Sequence, residues 1–187
     1  MGTILFFVVL GVLFLWVIGA YNRLIALKNQ VVNGWKQIDV QLKRRHDLIP
    51  NLVETVKGSM NFEKSTLEAV ISARNRAIGA TGVKETAAAE GQLTQALGRF
   101  FALSEAYPEL KSNQNVLQLQ EELTGTENKI GFARQAYNDI ATQYNTAQMQ
   151  FPTNLVAGLA KAVPAELWEI EDAAERAVPK VDLGFGK

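Results

Sequence analysis

The chain has 187 residues, 48% of them hydrophobic, with 19 basic and 19 acidic side chains and no cysteine. That length suits one domain beyond a membrane segment, and the lack of thiols excludes disulfides, thiolate metal sites, thiol nucleophiles and acyl-cysteine anchors. A net charge of zero argues against an electrostatic nucleic-acid binder. The charges are unevenly spread, with ten basic and five acidic residues from position 23 to 76 and nine basic and fourteen acidic beyond. The simplest reading is that two halves of one bundle attract each other; a basic docking surface is the alternative.

Residues 3–20 contain no charged side chain. Eighteen helical residues span ~27 Å, and Met1, Gly2 and Tyr21 extend the segment to about the thickness of a bilayer core. Trp16 and Tyr21 lie toward its end, where amphipathic rings favour the interface. A cleaved signal peptide would need a basic leading region and a small-x-small site; no Lys or Arg precedes Arg23, and Ile18-Gly19-Ala20 is a poor match. Phe6 stands where a myristoylation signal needs Ser or Thr. Basic flanks stay in the cytoplasm, and Arg23, Lys28 and Lys36 follow the span. The expectation is a single-pass membrane protein, N-terminus outside and bundle cytoplasmic.

After the span, Leu24, Leu27, Val31, Trp35, Ile38, Leu42, Ile49, Val53, Val56 and Met60 keep a helical period, and the phase reaches Leu67, Ile71 and Ile78. Pro50 lies inside this run. A loop would reset the register whereas a proline kink preserves it, so one kinked helix over 21–79 is expected. The alternative is a break near Pro50 or at 58–61. Gly79-Ala-Thr-Gly82 reads as a cap and turn. A second helix over 84–106 carries Leu93, Leu97, Phe100, Phe101 and Leu103, and stops at Tyr107-Pro108.

The third long helix has the clearest pattern. Val116, Leu123, Ile130, Tyr137, Tyr144 and Phe151 recur every seven residues, with Leu119, Thr126, Ala133, Ile140 and Ala147 between them. Asn113 is placed to cap it, and Phe151-Pro152 to stop it. At about 36 residues it would be ~54 Å long, against ~35 Å for the second helix. Part of this seam is therefore expected to face a neighbouring subunit in a homo-oligomer, unless the first helix covers it. Beyond Pro152, Leu155, Val156, Leu159, Ala160 and Val163 form a short apolar face, 165–178 an acidic helix, and 178–187 an extended tail. The fold class is all-α: a transmembrane helix continuing into an up-and-down bundle of three or four long helices. The divisions are 1–21 for the anchor, 22–151 for the bundle and 152–187 for the C-terminal segment.

Chemistry is sparse. His46 is the only histidine, in a cluster with Arg44, Arg45, Asp47 and Pro50. One His and one carboxylate complete neither a metal site nor a catalytic pair. The cluster reads as charged groups beside a proline that frees a main-chain carbonyl in need of a donor. Glu121/Glu122 and Glu169/Glu171 lie on solvated segments, and no phosphate-binding loop or nucleophile elbow occurs. Tyr137-Asn138 and Tyr144-Asn145 repeat the Tyr21-Asn22 pair; they read as a seam tyrosine beside a hydrogen-bonding asparagine. No catalytic, cofactor or metal site is expected.

The run Trp35-Lys-Gln-Ile-Asp-Val-Gln-Leu-Lys-Arg-Arg-His-Asp-Leu-Ile-Pro-Asn-Leu-Val-Glu-Thr-Val-Lys57 resembles the LemA family of bacterial membrane proteins. So do Tyr107-Pro-Glu-Leu-Lys-Ser-Asn113, Leu119-Gln-Glu-Glu-Leu-Thr-Gly-Thr-Glu127 and Ala133-Arg-Gln-Ala-Tyr-Asn-Asp139, with Tyr144-Asn145 and Phe151-Pro152. The likeness runs from the anchor to about Gly158; Leu167-Trp168 stands where the family is rich in Phe. It implies an N-terminal membrane helix, an up-and-down helical domain that is mainly cytoplasmic, and no enzyme activity. The expected function is a membrane-anchored scaffold that self-associates and holds membrane-protein partners. The alternative is a membrane-remodelling or envelope-stress factor acting through lateral assembly.

Overall fold

A computed structural model describes residues 1–57 and 63–169. Six helices follow in order: α1 (Gly2–Lys57), α2 (Lys64–Gly79), α3 (Gly82–Ser104), α4 (Pro108–Lys111), α5 (Gln114–Met149) and α6 (Asn154–Ala157). Among the described residues there is no strand. The tail over 178–187 and most of the expected acidic helix lie outside the described residues.

α1 is the one helix among the described residues long and apolar enough to cross a membrane. Its first turns stand clear of the protein, and the apolar side chains from Ile4 to Leu15 are exposed. From Leu24 onward the same helix turns one stripe inward: Leu24, Ile38, Leu42, Ile49, Val53 and Val56 are all buried. Each such side chain contributes about 1.5–3 kcal/mol relative to leaving it in water.

α1 and α5 pack antiparallel along most of their length. Leu24 meets Tyr144 and Ala147, Gly34 lies against Tyr137, and Ile49 to Val56 share a core with Val116 and Leu123. At Gly34 the helices are close enough that a Cβ would be in ordinary contact with Tyr137 Cδ2, at 3.5 Å. The hairpin of α2 and α3 covers only the far half of α1. There Leu67, Val70 and Ala73 join Leu93, Leu97 and Phe100 to close a four-helix core. Near the span the bundle thins to α1, α5 and the chain beyond Met149.

The helix expected over 21–79 is two helices. α1 ends at Lys57, and α2 starts after Glu63, whose backbone is extended. The continuous phase was coincidental: α2 buries Leu67, Val70, Ala73 and Ala77, while Ile78 faces solvent. Pro50, by contrast, does sit inside an unbroken α1. Gly82 supplies the left-handed residue of the α2–α3 turn, at φ 77°. Asn113 caps α5 as its position suggests, its Oδ1 accepting from the amides of Asn115 and Val116.

Residues 165–169, the start of the expected acidic helix, are not helical. They run back along α5 as an arm held by side chains, as described below.

Candidate functional site

The His46 cluster is split by the helix on which it lies. Arg45 and His46 turn into the bundle, whereas Arg44, Asp47 and Pro50 face solvent. Arg45 donates from Nη1 to Glu90 Oε2 at 3.0 Å and from Nη2 to Thr94 Oγ1 at 2.8 Å. Its Nη2 also lies 3.0 Å from Glu127 Oε2. His46 Nε2 is 2.5 Å from the other oxygen of Glu90. One guanidinium thus ties α1 to α3 and α5, and one carboxylate is shared by two neighbouring side chains of α1.

Pro50 lacks an amide hydrogen, so the carbonyl four residues earlier, that of His46, loses its helical donor. Arg74 of α2 replaces it, donating Nε–H to His46 O at 2.7 Å. The donor came from another helix rather than from Arg44 or Arg45. Arg45, His46 and Glu90 are buried, while Glu127 at the edge of the set is 40% exposed. The geometry suits holding three helices in register.

The second constellation holds the arm. Asn145 forms a two-way bond with the main chain of Ala165, accepting its amide at 2.8 Å and donating to its carbonyl at 2.9 Å. Asn138 does the same for Trp168, at 2.8 and 2.9 Å. Tyr137 donates its hydroxyl to Glu166 O at 2.7 Å. An asparagine amide presents one donor and one acceptor side by side, as a neighbouring strand would. Trp168 is buried against Trp35, with the Arg134 guanidinium 5.2 Å from its ring centre. Burial, then the charge of Glu166, holds the Tyr137 hydroxyl above its usual pKa, and burial raises that of Tyr144.

Comparison with known proteins adds identity to this geometry. The sequence pattern of the LemA family matches residues 34–183. The chain belongs to the LemA family. A protein named LemA from Metamycoplasma hominis is 30% identical over 157 residues, covering 82% of this chain and 71% of that protein. Magnetosome protein MamQ 2 of Paramagnetospirillum magneticum is 24% identical, over 83% of this chain and 66% of its own length. MamQ of Magnetospirillum gryphiswaldense is 24% identical over 73% and 60%. The chain therefore spans about two thirds of these magnetosome relatives. Family and apolar α1 together make this a membrane-associated helical protein. The LemA match extends over the arm, beyond Gly158 where the likeness was expected to end.

The expected assembly seam is, in this LemA-family chain, an internal one. Val116, Leu123, Ile130, Tyr137 and Tyr144 are buried within the chain, and only Phe151 is exposed. The long α1, not the shorter α3, runs along α5 and covers it. Among the described residues no three His, Asp or Glu side chains are grouped to hold a metal ion.

Sequence reasoning missed Glu90, Glu127, Thr94 and Arg74. For Glu90 a signal existed: it lies on the stripe of Thr86, Leu93, Leu97 and Phe100 that α3 buries. A carboxylate on an apolar stripe calls for a buried cation. Arg74 carries no comparable mark.

Proposed function

We propose that this LemA-family protein is a non-enzymatic, membrane-anchored helical scaffold that self-associates and holds partner proteins at the membrane. The observation that carries the reading is the continuity of α1. One helix of ~84 Å is both the apolar span and the spine of the bundle, so no flexible joint separates them. A domain continuous with its anchor suits presenting a surface better than closing on a substrate.

With the seam covered, the partner-facing surface is a different one. A shallow groove of about 560 Å³ runs between α1 and α5, lined by Gly34, Gln37, Ala133 and Ala136. Phe132, 74% exposed, stands at its edge. Gln41 Oε1, also in the lining, is buried without a hydrogen-bond partner. Exposed aromatic surface beside an unsatisfied acceptor favours a docked side chain or helix. Anchors confined to one plane raise the effective concentration for such docking.

Arg23, Lys28 and Lys36, which follow the span, support an orientation with the bundle in the cytoplasm and the start of α1 outside. Light scattering on full-length protein in detergent, with and without Phe132→Asp, tests assembly. The scaffold reading expects more than one chain per micelle and loss of assembly in the variant with helical circular dichroism unchanged. One chain per micelle at micromolar concentration would remove self-association. Cysteines at Thr3 and Ser112, probed in intact cells with an impermeant thiol reagent, test orientation; labelling at Ser112 but not Thr3 would reverse it. Deformation of liposomes by the pure protein would favour the remodelling alternative.

A further inference from the structure

The end of the bundle next to the span carries a cluster of exposed apolar side chains. α5 runs toward the span, antiparallel to α1, and Ala147 packs at the level of Leu24. Four residues back from Leu24 is Ala20, the last residue of the uncharged segment; four residues on from Ala147 is Phe151. α5 ends at Met149 and Gln150 is extended, so at 1.5 Å per residue the helix stops ~3 Å short of the level of Ala20, with Phe151 two residues beyond it.

Phe151 is 80% exposed, Leu155 68% and Leu159 72%. Between them Val156 and Ala160 are buried, Ala160 in the core that includes Leu24 and Tyr144. The segment after α5 therefore has two faces, one closing the bundle and one apolar and open. The charges around it are of one sign. No carboxylate occurs in residues 1–38, and Lys161 is the only charged residue over 140–165. Arg23, Lys28 and Lys161 are all exposed at this end.

We infer that this face is a second membrane contact, with Phe151, Leu155 and Leu159 seated at the headgroup–acyl boundary of the leaflet that α1 enters. The inference rests on the proposed anchoring by α1. Its chemistry is that of an interfacial segment: apolar side chains inserted shallowly, cations toward anionic headgroups, and no carboxylate to desolvate. A single spanning helix can tilt and rotate. A second contact beside it would set the height and rotation of the bundle, and hence the direction in which its far end points.

The chain has no cysteine, so single sites can be labelled directly. Phe151→Cys, Leu155→Cys and Leu159→Cys, each carrying an environment-sensitive fluorophore, are reconstituted as full-length protein into phosphatidylcholine–phosphatidylglycerol vesicles. Lipids with a spin label near the top of the acyl chain serve as quenchers. Val9→Cys within the span and Asn128→Cys, exposed on α5 ~32 Å from its C-terminal end, are the references, with circular dichroism confirming the fold. The expected result is blue-shifted emission and quenching at 151, 155 and 159, with a solvent-like label at 128. Labels at 151, 155 and 159 as wet as that at 128, with Val9 quenched by deeply placed spin labels, would overturn the contact and leave the anchor standing. A Val9 label that no lipid quenches would overturn the anchor and this contact with it. Blue-shifted emission that lipid does not quench, and that varies with protein-to-lipid ratio, would assign the face to a second copy and overturn the inference.

Discussion

Arg74 of α2 donates to the carbonyl of His46 in α1 at 2.7 Å, filling the place that Pro50 leaves empty. A substitution that would weaken an isolated helix is here converted into a link between helices. Arg74→Ala should destabilise the full-length protein in detergent by about 1.5–3 kcal/mol, the range for a hydrogen bond involving a charged group. Pro50→Ala restores an amide to the same carbonyl, so in that background the cost of losing Arg74 should fall by ~1 kcal/mol or more. Denaturation of the four-member cycle measures the coupling, and equal costs in both backgrounds would show that the two residues act independently.

Glu90 is the member of the buried polar set whose loss matters most. Glu90→Ala strands Arg45 among apolar neighbours with Glu127 as its remaining carboxylate, and should cost about 3–5 kcal/mol. His46→Ala leaves both carboxylates on Arg45 and should cost about 1–2 kcal/mol. The order of the two values, read from denaturation midpoints at constant slope, is the decisive quantity.

The arm is held through two asparagines, and each can be removed separately. Asn138→Ala should abolish protection of the Trp168 amide in hydrogen exchange, and Asn145→Ala that of Ala165. Each loses two bonds to main chain, worth about 1–3 kcal/mol together. Amides in the α1–α5 core should keep their protection. Unchanged exchange at Ala165 and Trp168 would mean that Trp168 packing alone retains the arm.

Alkali should loosen the same region. The folded pKa values of Tyr137 and Tyr144 are raised, mainly by burial, so the folded state holds these protons more tightly than the unfolded chain. Their contribution is complete below the unfolded tyrosine pKa of about 10 and is lost as pH rises through the higher folded values. Stability should therefore decline above about pH 10, and Tyr137→Phe should make that decline shallower while lowering stability at neutral pH. A slope identical in wild type and variant would place the effect elsewhere.

Gly34 tests how closely α1 and α5 approach. A Cβ there makes ordinary contact with Tyr137, so Gly34→Ala should be neutral or stabilise by about 0.5–1 kcal/mol through reduced chain entropy. Gly34→Leu has no room and should lower the melting temperature. Equal tolerance of Ala and Leu would imply that the helices separate easily at this level.

The sequence alone determined whatever depends on neighbours along the chain. A charge-free run of helical length marks the span, a seven-residue repeat marks the face that α5 buries, and Asn113 three residues before Val116 marks its cap. Tyr137 and Tyr144 read as seam residues and are buried there, whereas Tyr21 is exposed and the main chain that Asn138 and Asn145 hold was not legible. Tertiary structure decided which apolar face meets which. The stripes of α1, α2 and α3 are alike in composition, and periodicity says that a stripe is buried without saying against what. Packing of α1 along α5 turned an expected subunit seam into an internal one. α2 buries Leu67, Val70, Ala73 and Ala77 and leaves Ile78 exposed, so its stripe follows its own packing against α3. Arg45 and Glu90, 45 residues apart, and Arg74 and His46, 28 apart, meet only once those helices are packed. The arm is the extreme case: its residues read as helix in isolation, and the fixed amides of Asn138 and Asn145 hold it extended.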